Sequence, residues 1–175
     1  MEKESVPYIY NLIEQYKPKT FCETGCHNGL SAAGIIFQML KYNKDIYYEG
    51  YDAFEEVPKI EHNGKSMSGQ LHYDKIHKRL AGIKKQHIQF DYKIIKGFTD
   101  KTLVQKTFDF VYIDGGHSYE TVKHDYNMLK NSKIIIFDDY NLSGVKKAVN
   151  EIGIGELIPF EARKKKKWII INDNQ

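Results

Sequence analysis

The chain has little of what marks a secreted or membrane protein. Its two cysteines, Cys22 and Cys26, have no second pair to complete a zinc site or a disulfide framework. No stretch approaches the ~20 apolar residues that a membrane-spanning helix needs. The first residues lack the charged-then-apolar order of a signal peptide. We therefore expect reduced thiols in a cytoplasmic protein with no membrane partner.

The chain is also poor in net charge. A formal charge of +3 is too small to indicate a nucleic-acid partner, since such binding usually requires a strongly basic face. The apolar fraction of 41% and the aromatic fraction of 13% are typical of a folded protein. A length of 175 residues predicts one domain spanning 1–175, large enough to bury a core without disulfides.

Strand-like and helix-like segments alternate along the chain. After an N-terminal helix within 1–18, apolar runs and turn residues predict five strands, each followed by a helix or a loop, and then two bare extended runs within 156–172. The predicted strands are 19–23, 46–51, 88–95, 108–113 and 133–137, and the predicted helices are 30–42, 70–80, 99–106, 118–129 and 143–151. Asn28 or Ser31 is the expected cap of the helix 30–42 and Ser118 that of the helix 118–129, while Gly82 is expected near the end of the helix 70–80. This pattern predicts an α/β doubly wound, mostly parallel sheet with an antiparallel C-terminal hairpin.

Three further segments have a predicted role, and two of them allow two interpretations. The tyrosine-rich helix that ends near Tyr16 forms either a homodimer face or a cover for the sheet. Residues 53–69 read as an exposed connection with the freedom to fold over a ligand. The basic run from Arg163 to Lys167 is most often a solvated turn, and the alternative is a basic rim for an anionic substrate.

The run from Phe108 to His117 ends a buried-strand pattern in an acid, two glycines and an imidazole. Asp114 marks the carboxyl end of this strand, which is the edge where ligands bind in open α/β sheets. His117 follows three residues later, within reach of the same cavity, and a neutral imidazole accepts a proton near pH 7. A lone histidine is more often structural, but this position favours a functional role.

A glycine-containing loop follows the first strand. Gly25 and Gly29 allow the backbone to approach a ligand closely, although Cys26 and His27 replace the middle glycine of the dinucleotide fingerprint. The alternative is an ordinary tight turn. Asp52 ends the second strand, where a carboxylate accepts hydrogen bonds from a ribose diol or is simply a solvated acid.

Three carboxylates should converge at the ends of the fourth and fifth strands. Asp114, Asp138 and Asp139 would repel one another there unless a cation lies between them. Oxygen ligands suit Mg²⁺ or Mn²⁺ better than zinc. The structural alternative is a helix-capping role for one or two of these residues.

Taken together, these motifs resemble the class I S-adenosylmethionine-dependent methyltransferases. The similarity covers roughly residues 19–150 and is greatest to small-molecule O-methyltransferases of the macrocin O-methyltransferase group. It rests on Glu23-x-Gly25-x-x-x-Gly29, Asp52, the run 96–103 before 108–114, Asp114-Gly-Gly-His117 and Asp138-Asp139-Tyr140. The resemblance implies a Rossmann-like, seven-stranded sheet with helices on both faces and explains the two bare C-terminal strands.

The resemblance also implies roles for these residues. Glu23, Gly25 and Gly29 would contact the methionine portion of S-adenosylmethionine, Asp52 would contact its ribose, and Asp114 would also contact the cofactor. Metal-dependent members imply Asp114, Asp138 and Asp139 as ligands of Mg²⁺ or Mn²⁺. They also imply His117 as the general base, with Asp114 taking part in catalysis beside it. The expected function is methyl transfer to a hydroxyl of a sugar or another small molecule.

Two further functions remain open from the sequence. One is metal-independent methyl transfer to RNA or protein, with the lysine run holding an anionic polymer. The other is a non-catalytic module that retains the cofactor pocket, against which the convergent acids and His117 argue.

Overall fold

The computed structural model describes residues 6–54, 69–158 and 166–172, with side chains from residue 72 onward in the second range. Most of the predicted connection at 53–69 and most of the basic run 163–167 lie outside these ranges. The elements in chain order are α1 (Val6–Tyr16), β1 (Thr20–Thr24), α2 (Leu30–Met39), β2 (Tyr47–Asp52), α3 (Gly69–Gln86), β3 (Asp91–Lys96), α4 (Thr99–Thr102), β4 (Phe110–Ile113), α5 (Tyr119–Leu129), β5 (Ile134–Phe137), α6 (Ser143–Ile152), β6 (Glu156–Leu157) and β7 (Trp168–Ile171).

One seven-stranded sheet organises the described chain, in the order β3-β2-β1-β4-β5-β7-β6. Strands β1 to β5 pair in parallel, while β7 lies antiparallel between β5 and β6. The predicted Rossmann-like fold with its antiparallel ending is therefore confirmed. Strand order reverses beside β1, because the chain runs outward to β3 and then returns to β4. Ligands bind in the crevice at such a reversal point.

The sheet is covered on both faces. All residues of β4 and β5 are buried, as expected for central parallel strands. Because side chains alternate between faces, Phe110 and Tyr112 belong to the core cluster under α1, α2 and α3, whereas Val111 and Ile113 belong to the cluster under α5 and α6. Both clusters converge on β4.

Helix α1 covers the sheet. Ile9, Leu12 and Ile13 are buried in the first cluster, and Tyr8 and Tyr16 pack against it. Of the two interpretations of this helix, its tyrosines therefore favour the covering role.

The ends of three helices test the predicted caps. Helix α5 begins as predicted, because the Ser118 hydroxyl accepts a hydrogen bond from the backbone N–H of Thr121 at 3.1 Å. In helix α2, Gly29 occupies the N-cap position instead of the predicted Asn28 or Ser31, although Asn28 Oδ1 accepts the N–H of Leu30, the first helical residue, at 3.3 Å. Helix α3 does not end near Gly82 but continues to Gln86, since its apolar face stays in the core beyond that glycine.

The structure also bears on the expectations about membrane-spanning helices and about the two cysteines. Among the described residues, no helix has both the length and the apolar character needed to cross a membrane. Cys22 and Cys26 are both free and buried, and burial raises the pKa of each thiol well above its usual value. Neither thiol is therefore an activated nucleophile.

Candidate active site

Backbone hydrogen bonds hold the carboxyl ends of the central strands together. The N–H of Asp114 donates to the carbonyl of Thr24 at 2.9 Å, and the N–H of Asp138 donates to the carbonyl of Ile113 at 2.9 Å. The N–H of Gly25 donates to the carbonyl of Tyr51 at 2.7 Å. The residues that follow β1, β2, β4 and β5 are therefore fixed at one edge, as the sequence predicts for parallel strands.

The glycine loop between β1 and α2 touches the loop that follows β4. Gly25 has a φ of +79°, and a Cβ on it would lie 2.1 Å from the carbonyl oxygen of Asp114. Gly29 has a φ of +73°, and a Cβ there would lie 2.7 Å from the side chain of Ile76 in α3. Both glycines are required by the close approach of their neighbours.

Asp52 organises the same loop from the end of β2. Its Oδ2 accepts the N–H of His27 at 2.7 Å, and its Oδ1 accepts the N–H of Phe54 at 2.8 Å. Each carboxylate oxygen keeps a second lone pair, so these bonds leave acceptor capacity for a ligand.

His27 packs edge-on against His72 of α3, with 3.7 Å between ring centroids. Burial, and then the charge of His72, lowers the pKa of His27. Burial also lowers the pKa of His72. The sequence singled out His27 but not His72, because nothing local to α3 indicates that its first turns reach the glycine loop.

Glu23 lies almost fully buried under this loop. Its Oε2 accepts a hydrogen bond from the Tyr48 hydroxyl at 2.9 Å. Burial raises the pKa of Glu23 to about 8, and the negative charges of Asp114 and Asp52 add to the increase. Three acids from three adjacent strands thus create a site that favours a positively charged ligand.

A second group of side chains lies where β4 and β5 end. Ligand atoms of Asp114, His117 and Asp139 all lie within 4.8 Å of one another, and His117 Nε2 is 3.3 Å from Asp139 Oδ2. The His117 side chain is 46% exposed, whereas that of Asp139 is 8% exposed. An imidazole that faces solvent beside a buried carboxylate is accessible to an acceptor molecule.

Close packing on both sides positions His117. Ser118 caps α5 directly after it, and Gly144 of α6 approaches so closely that a Cβ there would lie 2.3 Å from the His117 carbonyl oxygen. Two helices therefore fix the backbone that carries the imidazole.

Asp138, predicted as a third metal ligand, lies outside the Asp114–His117–Asp139 group. Its Oδ1 contacts Lys167 Nζ and accepts the N–H of Asp139 at 2.7 Å. Its Oδ2 accepts the Tyr112 hydroxyl at 2.6 Å. The carboxylate is thus occupied by donors of the chain itself, because consecutive residues direct their side chains differently.

Lys167 lies in a different environment from the one that its sequence context predicts. A basic run usually indicates a solvated turn, whereas Lys167 is fully buried. Its ammonium lies 5.3 Å from the centroid of the Tyr112 ring. The signal that identifies it is the antiparallel register of β5 and β7, which pairs Phe137 with Trp168 and so places Lys167 opposite Asp138.

A family model described as "Methyltransferase domain" matches residues 22–140, which include the glycine loop, Asp52, Asp114 and the Asp138–Asp139 pair. The chain belongs to the class I S-adenosylmethionine-dependent methyltransferases. The methyltransferase predicted from the sequence is therefore confirmed. No curated protein matches the chain.

Solved structures share the fold of this methyltransferase at low sequence identity. An O-methyltransferase from Bacillus cereus in complex with SAH is 11% identical, with a TM-score of 0.64 over 98% of this chain and 82% of that one. The O-methyltransferase TomG from Streptomyces achromogenes, in complex with SAM, is 10% identical, with a TM-score of 0.63 over 95% and 79%. CalS11, a TDP-rhamnose 3'-O-methyltransferase, is 14% identical, with a TM-score of 0.60 over 94% and 78%.

The site residues of the methyltransferase are chemically compatible with S-adenosylmethionine and with a divalent cation. The convergent acids Glu23, Asp52 and Asp114 suit a cofactor that carries a sulfonium and an ammonium charge. Asp114 and Asp139 supply carboxylate oxygens, which a divalent cation such as Mg²⁺ or Mn²⁺ accepts as ligands, and the imidazole of His117 lies beside them.

Proposed function

We propose that the protein is a metal-assisted O-methyltransferase that transfers the methyl group of S-adenosylmethionine to a hydroxyl of a sugar or another small molecule. The observation that carries this proposal is the exposed imidazole of His117 beside the carboxylates of Asp114 and Asp139. This group lies next to the acidic pocket that suits the cofactor.

The cofactor would bind across the ends of β1 and β2. Gly25 and Gly29 let the backbone approach the methionine portion, while the buried carboxyl of Glu23 lies below it. The remaining lone pairs of Asp52 would accept hydrogen bonds from the ribose hydroxyls. SAH or SAM bound to the similarly folded enzymes supports this assignment.

The carboxylates of Asp114 and Asp139 would hold a Mg²⁺ or Mn²⁺ ion, so that the neighbouring imidazole of His117 can accept a proton. Such a cation supplies polarisation of the acceptor hydroxyl and lowers its pKa. Asp138 is not included in this ligand set, because Lys167, Tyr112 and the backbone of Asp139 occupy its oxygens.

His117 would act as the general base. It removes the hydroxyl proton as the acceptor oxygen forms a bond to the methyl carbon and the sulfur–carbon bond breaks. The proton remains on the imidazole, where the neighbouring Asp139 carboxylate stabilises the charge. The products are the methyl ether, S-adenosylhomocysteine and a proton that the solvent-exposed imidazole releases to water.

A small hydroxyl compound is the proposed acceptor. CalS11, which shares the fold, is described as a methyltransferase of a TDP-linked sugar. The half-exposed position of His117 is consistent with an acceptor that enters from solvent.

Cofactor binding is expected to depend on Asp52. Asp52→Ala removes the acceptors for the ribose and for the N–H of His27, so we expect affinity for S-adenosylmethionine to fall by about 10- to 100-fold. Isothermal titration calorimetry measures this change. Asp45→Ala is the matched control, because Asp45 is exposed and pairs with Lys19 away from the site. Equal affinity of wild type and Asp52→Ala would contradict the proposed pocket.

Methyl transfer is expected to depend on His117. His117→Gln removes the proton acceptor and should lower kcat by about 10²- to 10⁴-fold, with cofactor affinity within about twofold of wild type. Release of S-adenosylhomocysteine with a panel of nucleotide sugars and catechols measures the rate. His87→Gln is the control, because His87 lies before β3, at the amino ends of the strands and not at their carboxyl ends. Full activity of His117→Gln would exclude the proposed general base. Wild-type activity that a chelator leaves unchanged would exclude the metal.

A further inference from the structure

Lys167 is a fully buried cation directly behind the candidate active site. Its ammonium contacts Asp138 Oδ1 and lies over the face of the Tyr112 ring. Its backbone is fixed as well, because its carbonyl accepts the N–H of Ile158 at 3.0 Å. A lysine is rarely buried to this extent unless its charge is paired.

Asp138 has little capacity left for a metal ion while this arrangement persists. Oδ1 is held by Lys167 and by the N–H of Asp139, and Oδ2 accepts the Tyr112 hydroxyl and keeps one lone pair. A divalent cation at Asp138 would therefore either lie beside a buried ammonium group or displace it. Close positive charges repel each other, and leaving the ammonium without its partner is strongly unfavourable.

The same contacts fix the direction of Asp139. Its N–H is bound to the Asp138 carboxylate, and its backbone has a φ of +50°, in the left-handed region. This turn directs the Asp139 carboxylate to His117. Two consecutive aspartates are thereby separated into one that faces the core and one that faces the site.

We propose that Lys167 is a positioning residue whose ammonium occupies the cation position of Asp138 and confines a divalent cation to the carboxylates of Asp114 and Asp139, beside His117. The inference rests on the proposed function for the identity of the bound ion. It assigns the two aspartates different tasks, since Asp138 anchors the C-terminal strand and Asp139 faces the acceptor.

Binding of Mn²⁺ to the purified full chain tests this inference without any turnover. Lys167→Met keeps the aliphatic stem but frees Asp138, so we expect Mn²⁺ to bind about tenfold more tightly than to wild type. Lys167→Met/Asp138→Asn removes the pair without changing net charge and should bind Mn²⁺ within about threefold of wild type. Lys166→Met, an exposed neighbour, controls for the loss of one positive charge. Calorimetry and the Mn²⁺-induced shift in Tm provide the two measurements.

Two results would overturn the inference. One is an unchanged Mn²⁺ affinity in Lys167→Met, and the other is loss of Mn²⁺ binding in Lys167→Met/Asp138→Asn, which would make Asp138 a ligand. If Lys167→Met folds too poorly for calorimetry, the double variant still decides. A different result tests the proposed function. If the wild type binds no Mn²⁺, metal assistance is contradicted. A gain of Mn²⁺ binding in Lys167→Met would still support the role of Lys167 in that case.

Discussion

Gly25→Ala is expected to destabilise the fold by at least about 3 kcal/mol and to lower methyl-transfer activity by about 100-fold. Two costs combine. A φ of +79° costs an alanine roughly 1–2 kcal/mol. The added Cβ would also lie 2.1 Å from the carbonyl oxygen of Asp114 and 2.6 Å from the Cα of Gly115, and both are backbone atoms that no rotamer change can move.

Relief of this clash would move the functional groups. The loop that follows β4 would have to shift away from the glycine loop, and Asp114 with it. Since Asp114 belongs both to the acidic pocket and to the group with His117, the shift would impair cofactor binding and proton transfer together. Urea unfolding, calorimetry with S-adenosylmethionine and the methyl-transfer assay measure the three effects.

Substitutions at two other glycines separate the cost of a positive φ from the cost of the backbone clash. Gly153→Ala shares the positive φ, at +72°, but its nearest neighbour would lie 3.8 Å away, so it should cost only the conformational strain of about 1–2 kcal/mol. Gly82→Ala, within α3 and with no atom of the described residues within 4 Å of the added Cβ, should stabilise the protein by roughly 0.5–1 kcal/mol. If Gly25→Ala costs no more than Gly153→Ala, the contact between the two loops is not what fixes the site.

The parts of the site that could be predicted are those encoded by local pattern. The run from Phe108 to Ile113 is too apolar and β-branched to be anything but a central strand, and this places Asp114 at the ligand edge. A polar residue before a helical pattern identifies Ser118 as the cap of α5, and so fixes where the loop with His117 ends. Periodicity and capping chemistry are properties of neighbouring residues, so the sequence alone specifies them.

Asp138 and Lys167 depend on a long-range register instead. Nothing local distinguishes Lys167 from the other basic residues of 163–167, and a charge run is usually solvated. Only the pairing of β5 with β7 brings it opposite Asp138. Register between distant strands is set by packing of the whole sheet, which explains why the sequence assigned all three aspartates to one metal.

Helix α3 shows how packing overrides a local signal. Gly82 predicts a helix end, but Leu80 and Ile83 on either side of it are buried in the core. Burial of such side chains is worth roughly 1.5–3 kcal/mol each, more than the ~1 kcal/mol that an interior glycine costs. Lys84 and Lys85 then lie in the last turn, where positive charge interacts favourably with the helix dipole.

Glu23→Gln is expected to make the protein more stable, by up to about 5 kcal/mol at pH 8 and above. Burial and the nearby Asp114 raise the pKa of Glu23 to about 8 in the folded protein, against 4.5 for the unaltered side chain. The unfolded chain therefore loses this proton near pH 4.5, whereas the folded protein keeps it until about pH 8.

The sign of the effect follows from that difference. The Glu23 contribution to stability is fully present below pH 4.5 and is lost as pH rises toward 8, at a rate of about 1.4 kcal/mol per pH unit. Glutamine has no proton to lose and keeps an oxygen that accepts the Tyr48 hydroxyl bond. The two proteins should thus have similar unfolding free energies at pH 4.5 and diverge progressively up to pH 8.

Urea unfolding at several pH values measures the divergence, with the exposed Glu120→Gln as a control for loss of one carboxylate. A gap between wild type and Glu23→Gln that is the same at pH 5 and pH 8 would contradict the raised pKa.

A carboxyl group that costs stability at neutral pH requires a reason in function, and the cofactor provides one. A positively charged ligand beside Glu23 favours the ionised form, so binding of S-adenosylmethionine at pH 7 should release up to about one proton from the wild-type protein. Calorimetry in buffers of different ionisation enthalpy measures that release. Glu23→Gln should release about one proton fewer and bind the cofactor more weakly, because it offers no negative charge. Equal proton release by the two proteins would show that the positive charge of the cofactor does not lie beside Glu23.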